Sequence, residues 1–235
     1  MKPFFLVLSA PSGGGKTTIA RMLLQGREDL GYSVSATTRP MRPGEKDGMD
    51  YHFLSRKEFL DRQQDGEFLE WATYGGELYG TLKSEIDRIF AQGRHAVLDV
   101  EIEGARQIRN NFQNSLLLFV LPPSAEVLVE RLAGRNTEDP GLVKERIMRA
   151  ADELAAVAEY DYAIVNEDLV VAVAQVAAIL EGEAWRVSRQ DTLPTFIEQL
   201  QQDVVKAAEK IGKDVKGRGS SAKVRDPHPE RKRGT

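Results

Sequence analysis

The 235-residue sequence contains no cysteine. This absence excludes disulfide bonds and thiolate metal sites, and it agrees with a reducing compartment. Long hydrophobic runs are absent as well, since none approaches the ~18 apolar residues of a membrane-spanning helix. The apolar run near the amino terminus is about five residues long, too short for the core of a secretory signal. We therefore predict a cytoplasmic protein with no membrane partner.

Histidine is scarce, and positive charge is not in excess. The three histidines, His52, His95 and His228, are scattered and predict no cluster of metal ligands. The formal net charge of −4 gives no general attraction for nucleic acid, so no nucleic-acid partner is expected. With 41% hydrophobic and 29% charged residues, the composition is that of an ordinary globular protein. The length indicates one domain, with or without insertions.

The most informative segment is FFLVLSAPSGGGKTT, residues 4–18. A short apolar run predicts a buried strand, a glycine-rich turn follows, and Lys-Thr opens an amphipathic helix. This order is typical of a phosphate-binding P-loop, in which backbone N–H groups and the helix dipole hold an anion. The usual pattern has glycine where Ala10 stands, and a small residue there still leaves the turn open. The predicted nucleotide-phosphate loop consists of Ala10, Pro11, Ser12, Gly13, Gly14, Gly15, Lys16, Thr17 and Thr18.

Apolar strand-like runs alternate with helical patterns over the first 182 residues. After the first strand they lie at 32–36, 95–100, 116–121 and 160–165. Nearly continuous apolar runs separated by helices favour an α/β fold, with a parallel sheet flanked by helices. The predicted core comprises residues 1–33, 96–123 and 159–182.

Two stretches interrupt this core. Residues 34–95 contain short alternating strands, at 50–54 and 67–74, and predict a small β-rich insertion. Residues 124–158 are helical in pattern and rich in arginine, which predicts a helical lid. The lid carries Arg131, Arg135, Arg146 and Arg149, and a loop at 136–141 divides it.

The chain changes character beyond residue 182. Residues 183–212 form a predicted helical extension, because apolar side chains recur at helical spacing over 195–211. That stripe must be buried, either on the core or in a homo-oligomer. Residues 213–235 hold eight Lys or Arg and three Asp or Glu, a net charge of +5 (8 − 3), with few apolar groups. They predict a disordered basic tail.

The insertion contains groups suited to a phosphorylated acceptor. Arg39 and Arg42 flank a proline-rich turn, and Tyr51 follows. Two guanidinium groups and a phenol on a stiff segment suit a phosphate dianion. Further along lie Glu70, Tyr79, Thr81, Asp99 and Glu101. Asp99 ends an apolar strand, where a carboxylate commonly serves a bound magnesium ion directly or through a second group.

Together these segments closely resemble the guanylate kinase family. The matching segments occur in family order over residues 4–182 and are SAPSGGGKTT, VSATTRPMRPGEKDGMDYHF, FLEWA, YG-T, LDVEIEGA, RLAGRNTE, ERIMRAADEL and YDYAIVNEDL. The resemblance implies the P-loop fold of nucleoside-monophosphate kinases and an ATP:GMP phosphotransferase of purine metabolism. It also implies ATP as co-substrate, with Mg²⁺ bound by Thr17 and Asp99 as a second candidate ligand.

The resemblance also assigns roles to individual residues. Arg39, Arg42, Tyr51 and Tyr79 would hold the GMP phosphate, while Ser35, Glu70, Thr81 and Glu101 would recognise guanine. Lys16, Arg131, Arg135 and Arg146 would stabilise the transferring phosphoryl group. The family more often has Asp where Glu101 stands and Gln where Glu103 stands, so the geometry near the base is the least determined part of this prediction.

Other interpretations remain open at this stage. The chain could be a kinase of the same architecture that acts on a ribose bisphosphate, although the guanine-reading set argues against this. It could instead be a non-catalytic interaction module, although Lys16 and Thr17 are both present. Individually, Tyr51 and Tyr79 could be half-buried strand aromatics, and Glu70 an ordinary edge-strand carboxylate. The lid arginines could form a solvated helix face, which is the preferred interpretation for Arg149.

Overall fold

The computed structural model describes residues 2–133 and 140–219, with only the backbone described at 140, 142 and 212–219. The chain forms two compact units, one extending to Trp185 and the other beginning at Arg186. The strands are β1 Phe5–Ser9, β2 Leu30–Tyr32, β3 Ser35–Thr37, β4 His52–Phe53, β5 Phe68–Tyr74, β6 Glu77–Leu82, β7 His95–Asp99, β8 Ser115–Leu121 and β9 Tyr162–Val165. The helices are α1 Lys16–Gly26, α2 Arg56–Gln64, α3 Lys83–Phe90, α4 Ile102–Asn111, α5 Ala125–Ala133, α6 Pro140–Leu154, α7 Leu169–Ala184 and α8 Leu193–Gly219.

A five-stranded parallel sheet forms the core of the first unit. Its strand order is β2-β7-β1-β8-β9, with β1 paired to β7 and β8 through Leu6 opposite Val97 and Leu116. Alternate side chains of β1 point to opposite faces. Leu6 packs in a cluster with residues of α1 and α7, while Val7 packs in a cluster with residues of α3 and α4. The predicted parallel sheet between helices is confirmed.

The β-rich insertion forms a second sheet with the order β4-β3-β6-β5. Helix α2 covers one face of this sheet, where Phe59 stacks on Phe68 with ring centroids 4.3 Å apart. The tight turn between β5 and β6 uses Gly75 and Gly76 with φ of 60° and 85°, a conformation that favours glycine. Helix α3 falls within the predicted insertion, but its Ile89 packs with the core-sheet residues.

The predicted single strand at 32–36 is wrong. The chain leaves the core sheet after Tyr32 and enters the insertion sheet at Ser35. The crossing residues are anchored separately, because the Ser33 N–H donates to the Val97 carbonyl (3.0 Å) and the Val34 N–H donates to the Glu85 carboxylate (3.2 Å). The short run YSVSA carries no signal that its two halves pair in different sheets.

The predicted lid region is helical over its described residues. Helices α5 and α6 pack on each other through Leu128, Leu132 and Ala150. Most of the predicted loop at 136–141 lies outside the described residues, and so does Arg135. A short 3₁₀ turn, Ala155–Glu159, then leads into β9.

The second unit is built around α8, which covers the predicted helix at 195–211. The helix continues to Gly219, into the segment 213–235 that was predicted to be disordered. Residues 220–235 lie outside the described part of the chain. Over residues 2–133 and 140–219, no helix has the length and apolarity needed to cross a membrane.

Candidate active site

The glycine-rich loop joins β1 to α1 as predicted. Gly13 and Gly15 have φ of 81° and 93°, left-handed values that other residues rarely adopt. Gly14 is constrained in another way, because a Cβ there would lie 2.6 Å from the Ala10 Cβ and 2.9 Å from the Pro11 carbonyl oxygen. The middle glycine, Gly14, therefore leaves the space that the side chain at Ala10 requires.

A residue that the sequence did not single out, Asn166, holds this loop from the other side. It follows β9, is buried, and donates from Nδ2 to the Gly14 carbonyl (3.1 Å). A Cβ on Gly15 would collide with the same Nδ2. The sequence offered one indication of this role, the position of Asn166. A polar residue directly after a parallel strand lies at the edge where α/β proteins bind ligands.

Lys16, Thr17, Asp99 and Glu101 converge at the carboxyl ends of β1 and β7. The Lys16 ammonium lies 3.0 Å from a Glu101 oxygen and 3.4 Å from an Asp99 oxygen. Burial alone would lower the pKa of Lys16, but the two carboxylates raise it well above its usual value, so this lysine stays charged. The Thr17 hydroxyl donates to Asp99. A hydroxyl and a carboxylate in contact are hard oxygen donors that suit a magnesium ion carried by phosphates.

Glu70 lies at the buried end of a cavity of about 120 Å³ between the two sheets. The Thr81 hydroxyl donates to its Oε1 (2.7 Å), and Ser35 pairs with Thr81 in the neighbouring strand. Burial raises the pKa of Glu70 to about 7, against the effect of the Thr81 hydrogen bond. Three of the residues predicted to recognise guanine therefore lie side by side, and Glu101 lines the same cavity.

A β-bulge gives Glu70 its direction. Phe68 pairs with Leu82 and Glu70 with Thr81, so two steps on β5 match one step on β6. Residues two apart normally face the same side of a strand, whereas here Phe68 enters the apolar cluster under α2 and Glu70 faces the cavity. On the far side, α4 presents Gly104, where a Cβ would collide with the Glu70 carboxylate.

The residues predicted to hold the acceptor phosphate line a cavity of about 560 Å³, and they are Arg39, Arg42, Tyr51 and Tyr79. The rings of Tyr51 and Tyr79 meet edge to face at 6.0 Å, and the Arg39 guanidinium lies 5.3 Å from the Tyr51 centroid. Arg39 donates to both oxygens of Glu45, at 2.8 and 3.1 Å. These hydrogen bonds lower the pKa of Glu45, which thus serves as the anionic partner of Arg39 in this structure. Sequence reasoning missed Glu45.

The lid arginines occupy different environments. Arg131 lines a cavity of about 590 Å³ together with the glycine-rich loop, and a Cβ on Gly13 would lie 3.5 Å from the Arg131 Cβ. Its buried Nη1 has no hydrogen-bond acceptor among the described residues. Arg146 is half-buried on α6 and is not part of that cavity wall. Arg149 lies over the Tyr74 ring at 5.0 Å and pairs with Glu145, four residues earlier on the same helix, at 3.1 Å.

Comparisons with known proteins agree with this geometry. The sequence profile of the family described as "Guanylate kinase" matches residues 2–183. The chain belongs to the guanylate kinase family. A guanylate kinase of Paramagnetospirillum magneticum is 45% identical over 83% of this chain and 92% of its own length. That of Gloeobacter violaceus is 47% identical over 76% and 87%. The crystal structure of guanylate kinase from Anaplasma phagocytophilum superposes with a TM-score of 0.70, at 32% identity over 84% of this chain and 95% of that one.

The guanylate kinase profile covers the first unit and ends before the second. It stops at residue 183, close to the end of the first unit at Trp185. The P-loop, the insertion and the lid helices therefore all lie within the profile. Helix α8 lies outside the profile, although alignments to individual relatives cover up to 84% of this chain and so reach the start of this helix.

An acidic side chain from the lid contacts the P-loop of this guanylate kinase. Glu153 on α6 accepts a hydrogen bond from the Ser12 backbone N–H (3.1 Å). Burial raises the pKa of Glu153, so the ionised form of its carboxylate is destabilised at this position. That N–H belongs to the loop predicted to bind ATP phosphates. Glu153 therefore occupies a donor that the nucleotide would use, and no sequence motif marked it.

Replacing Glu153 with alanine should free this donor. We expect the KM for ATP to fall by about tenfold, because hydrogen bonds to charged groups contribute about 1.5–3 kcal/mol. Initial-rate measurements with ATP varied at saturating GMP test this. Asp152→Ala is the matched control, since Asp152 is an exposed neighbour on the same helix. An unchanged or higher KM for ATP in Glu153→Ala alone would show that Glu153 does not compete with the nucleotide.

Proposed function

We propose that this member of the guanylate kinase family transfers the γ-phosphoryl group of ATP to GMP, giving ADP and GDP. The observation that carries the proposal is the buried Glu70–Thr81 pair in a cavity that also reaches Lys16 and Thr17 of the P-loop. A recognition element for a base and a site for polyphosphate thus share one cleft. The cleft has a donor half, formed by the P-loop, and an acceptor half, formed around Glu70 and the insertion. The chemistry follows from the groups that each half can bind.

The donor half would hold the ATP phosphates. Consecutive N–H groups of the glycine-rich loop and the amino terminus of α1 would bind the phosphate oxygens. Lys16 would add a fixed positive charge near the β- and γ-phosphates, displacing part of its contact with Glu101. Thr17 and Asp99 would hold Mg²⁺. Bound there, Mg²⁺ would neutralise part of the charge on the phosphates.

The acceptor half would select guanine through its hydrogen-bond donors. Guanine presents N1–H and an exocyclic amine, and the carboxylates of Glu70 and Glu101 can accept from both. Adenine has an acceptor at N1 and would leave a buried carboxylate without a donor, a mismatch that sites of this kind penalise by about 10⁴–10⁵-fold. Glu70 must be ionised to accept both bonds, and its pKa of about 7 places that ionisation near neutrality.

The phosphate of GMP would be both anchor and nucleophile. Arg39, Arg42, Tyr51 and Tyr79 would orient it, and Arg39 would exchange part of its pairing with Glu45 for the phosphate. A phosphate monoester is already ionised near neutral pH, so no strong general base is needed. An oxygen of that phosphate attacks the γ-phosphorus in line while the bond to the ADP oxygen breaks. Positioning and charge stabilisation supply most of the rate enhancement.

The lid would complete the site. Arg131 already faces the P-loop cavity with a guanidinium nitrogen that lacks an acceptor among the described residues. It would place positive charge on the transferring group, together with Arg146 and Arg135 if α6 moves inward. Closure would also exclude water and limit hydrolysis of ATP.

A coupled assay with three acceptors tests the proposal. ADP formation is measured with GMP, with AMP and with a ribose bisphosphate, each at several concentrations. We expect kcat/KM for GMP to exceed that for AMP by about 10⁴-fold or more, and the ribose bisphosphate to be inactive. Preference for the sugar phosphate would indicate a kinase of different specificity. Absence of turnover with every acceptor, together with GMP binding, would indicate an interaction module.

A further inference from the structure

Helix α8 carries a heptad pattern that the kinase reaction does not use. Its apolar residues alternate at spacings of four and three, namely Leu193, Ile197, Leu200, Val204, Ala207 and Ile211. This is the a/d repeat of a left-handed coiled coil, and Phe196 and Ala208 flank it at g and e positions. The a/d register suits a second helix as the partner.

The larger side chains of this stripe are exposed to solvent in the described part of the chain. Ile197, Leu200, Val204 and Ile211 are exposed by 42%, 50%, 60% and 65%. Phe196, beside the stripe, is exposed by 61%. Large apolar side chains in a contiguous exposed row usually mark an interaction surface.

We propose that α8 is a dimerisation helix, and that its partner is α8 of a second copy of this chain in a parallel two-stranded coiled coil. The a positions are Ile197, Val204 and Ile211, all β-branched, and a central d position is Leu200. β-Branched residues at a with leucine at d favour parallel dimers over trimers and tetramers. The same side chains then meet across the two-fold axis, as a symmetric dimer requires.

Charge favours the parallel over the antiparallel arrangement. If the two copies ran antiparallel with the whole stripe in contact, Asp203 at a g position would face Asp203 of the other copy. In the parallel arrangement Asp203 instead faces Ala208, and Lys210 is the g residue of the next heptad. Asp203 also accepts from Gln199 within its own helix (3.1 Å). The parallel pairing thus avoids a like-charge contact near the middle of the seam.

The seam is short, so the dimer is expected to dissociate on dilution. Fewer than three heptads of described side chains predict a Kd of about 1–100 μM, not nanomolar affinity. Sedimentation velocity of the full chain over a concentration series measures this. The mass should rise from 26.2 kDa toward twice that value, 52.4 kDa (2 × 26.2). A chain that remains monomeric up to millimolar concentration would overturn the proposal.

A charge placed in the seam should abolish the association. We expect Leu200→Glu to remain monomeric throughout the series, with turnover of the kinase reaction retained. The matched control is Gln202→Glu, which adds the same charge at an outward f position and should dimerise as the unaltered chain does. A Leu200→Glu variant that still dimerises would show that a different surface is used.

The lack of cysteine allows the orientation to be tested while the seam keeps its apolar core. Ala207→Cys introduces one thiol at a d position, which in the parallel dimer meets its own copy and should form an intermolecular disulfide under mild oxidation. Glu209→Cys, at an outward position of the same turn, is the control and should cross-link little. In a full antiparallel overlap position 207 would face Ile197, so absence of the Ala207→Cys cross-link in a dimeric sample would overturn the parallel arrangement.

Discussion

Replacing Lys16 with alanine is expected to lower kcat by about 10²–10³-fold, the loss typical of one charge-stabilising group in a water-excluded site. The lysine is the first residue of α1, and it is held between Glu101 and Asp99. Alanine removes the positive charge and leaves two carboxylates beside the phosphates of ATP. Steady-state rates with saturating ATP and GMP measure the effect.

Two further measurements make the Lys16 result specific. Lys57→Ala removes a lysine whose side chain is 86% exposed, and it should leave kcat unchanged. Melting temperatures of both variants should be recorded, because Lys16 is ion-paired with Asp99 and Glu101 and its removal also affects stability. Near-normal turnover of a folded Lys16→Ala variant would contradict the role of the P-loop.

Replacing Glu70 with glutamine should chiefly change selectivity. A neutral amide offers one acceptor and one donor, so it cannot accept both guanine hydrogen bonds. We expect the ratio of kcat/KM for GMP to that for AMP to fall by about 10²-fold, a part of the full discrimination available to such sites. Glu67→Gln, an exposed carboxylate just before β5, is the matched control. An unchanged ratio in Glu70→Gln would show that guanine is recognised elsewhere.

The pH dependence of Glu70 provides an independent check. Because its folded pKa is about 7 and its ordinary value is 4.5, the folded protein retains this proton more strongly than the unfolded chain. The group therefore favours folding at low pH, and that contribution is lost as pH rises from about 4.5 through 7. Glu70→Gln should melt higher than the unaltered chain at pH 8 and about equally at pH 4.5. GMP affinity should fall below pH 7 in the unaltered chain, and in Glu70→Gln only the smaller fall caused by protonation of the GMP phosphate at about pH 6 should remain.

How far the sequence could predict this site depends on how local each feature is. The P-loop is one continuous segment whose strand, turn and helix each carry their own signal, and the structure begins α1 at Lys16 as expected. Asn166, Glu45 and Glu153 were not predicted. Each is a common residue type, and its importance comes from what it touches: Gly14, Arg39 or Ser12. Such contacts depend on packing between distant segments, which no local pattern specifies.

The strand predicted at 32–36 and the direction of Glu70 differ from the simple sequence pattern for physical reasons. The run at 32–36 reads YSVSA, and nothing in it showed that Ser33 and Val34 cross between sheets. Glu70 was singled out from the sequence, but its direction toward the cavity could not be foreseen, because an alternating strand would place it on the same face as Phe68. The β-bulge reverses that alternation, and bulges leave little trace in one sequence.

The glycine of α4 beside Glu70 has an evolutionary consequence. The room for the carboxylate exists because a methyl group is missing from a different secondary-structure element, at Gly104. A descendant with any side chain at position 104 would have to move or lose the carboxylate of Glu70. A descendant that had already lost Glu70 would be free to acquire a side chain at position 104. The two positions should therefore change together as lineages diverge. A duplicate copy released from selection for guanine should show the substitution in the helix soon after the one in the strand.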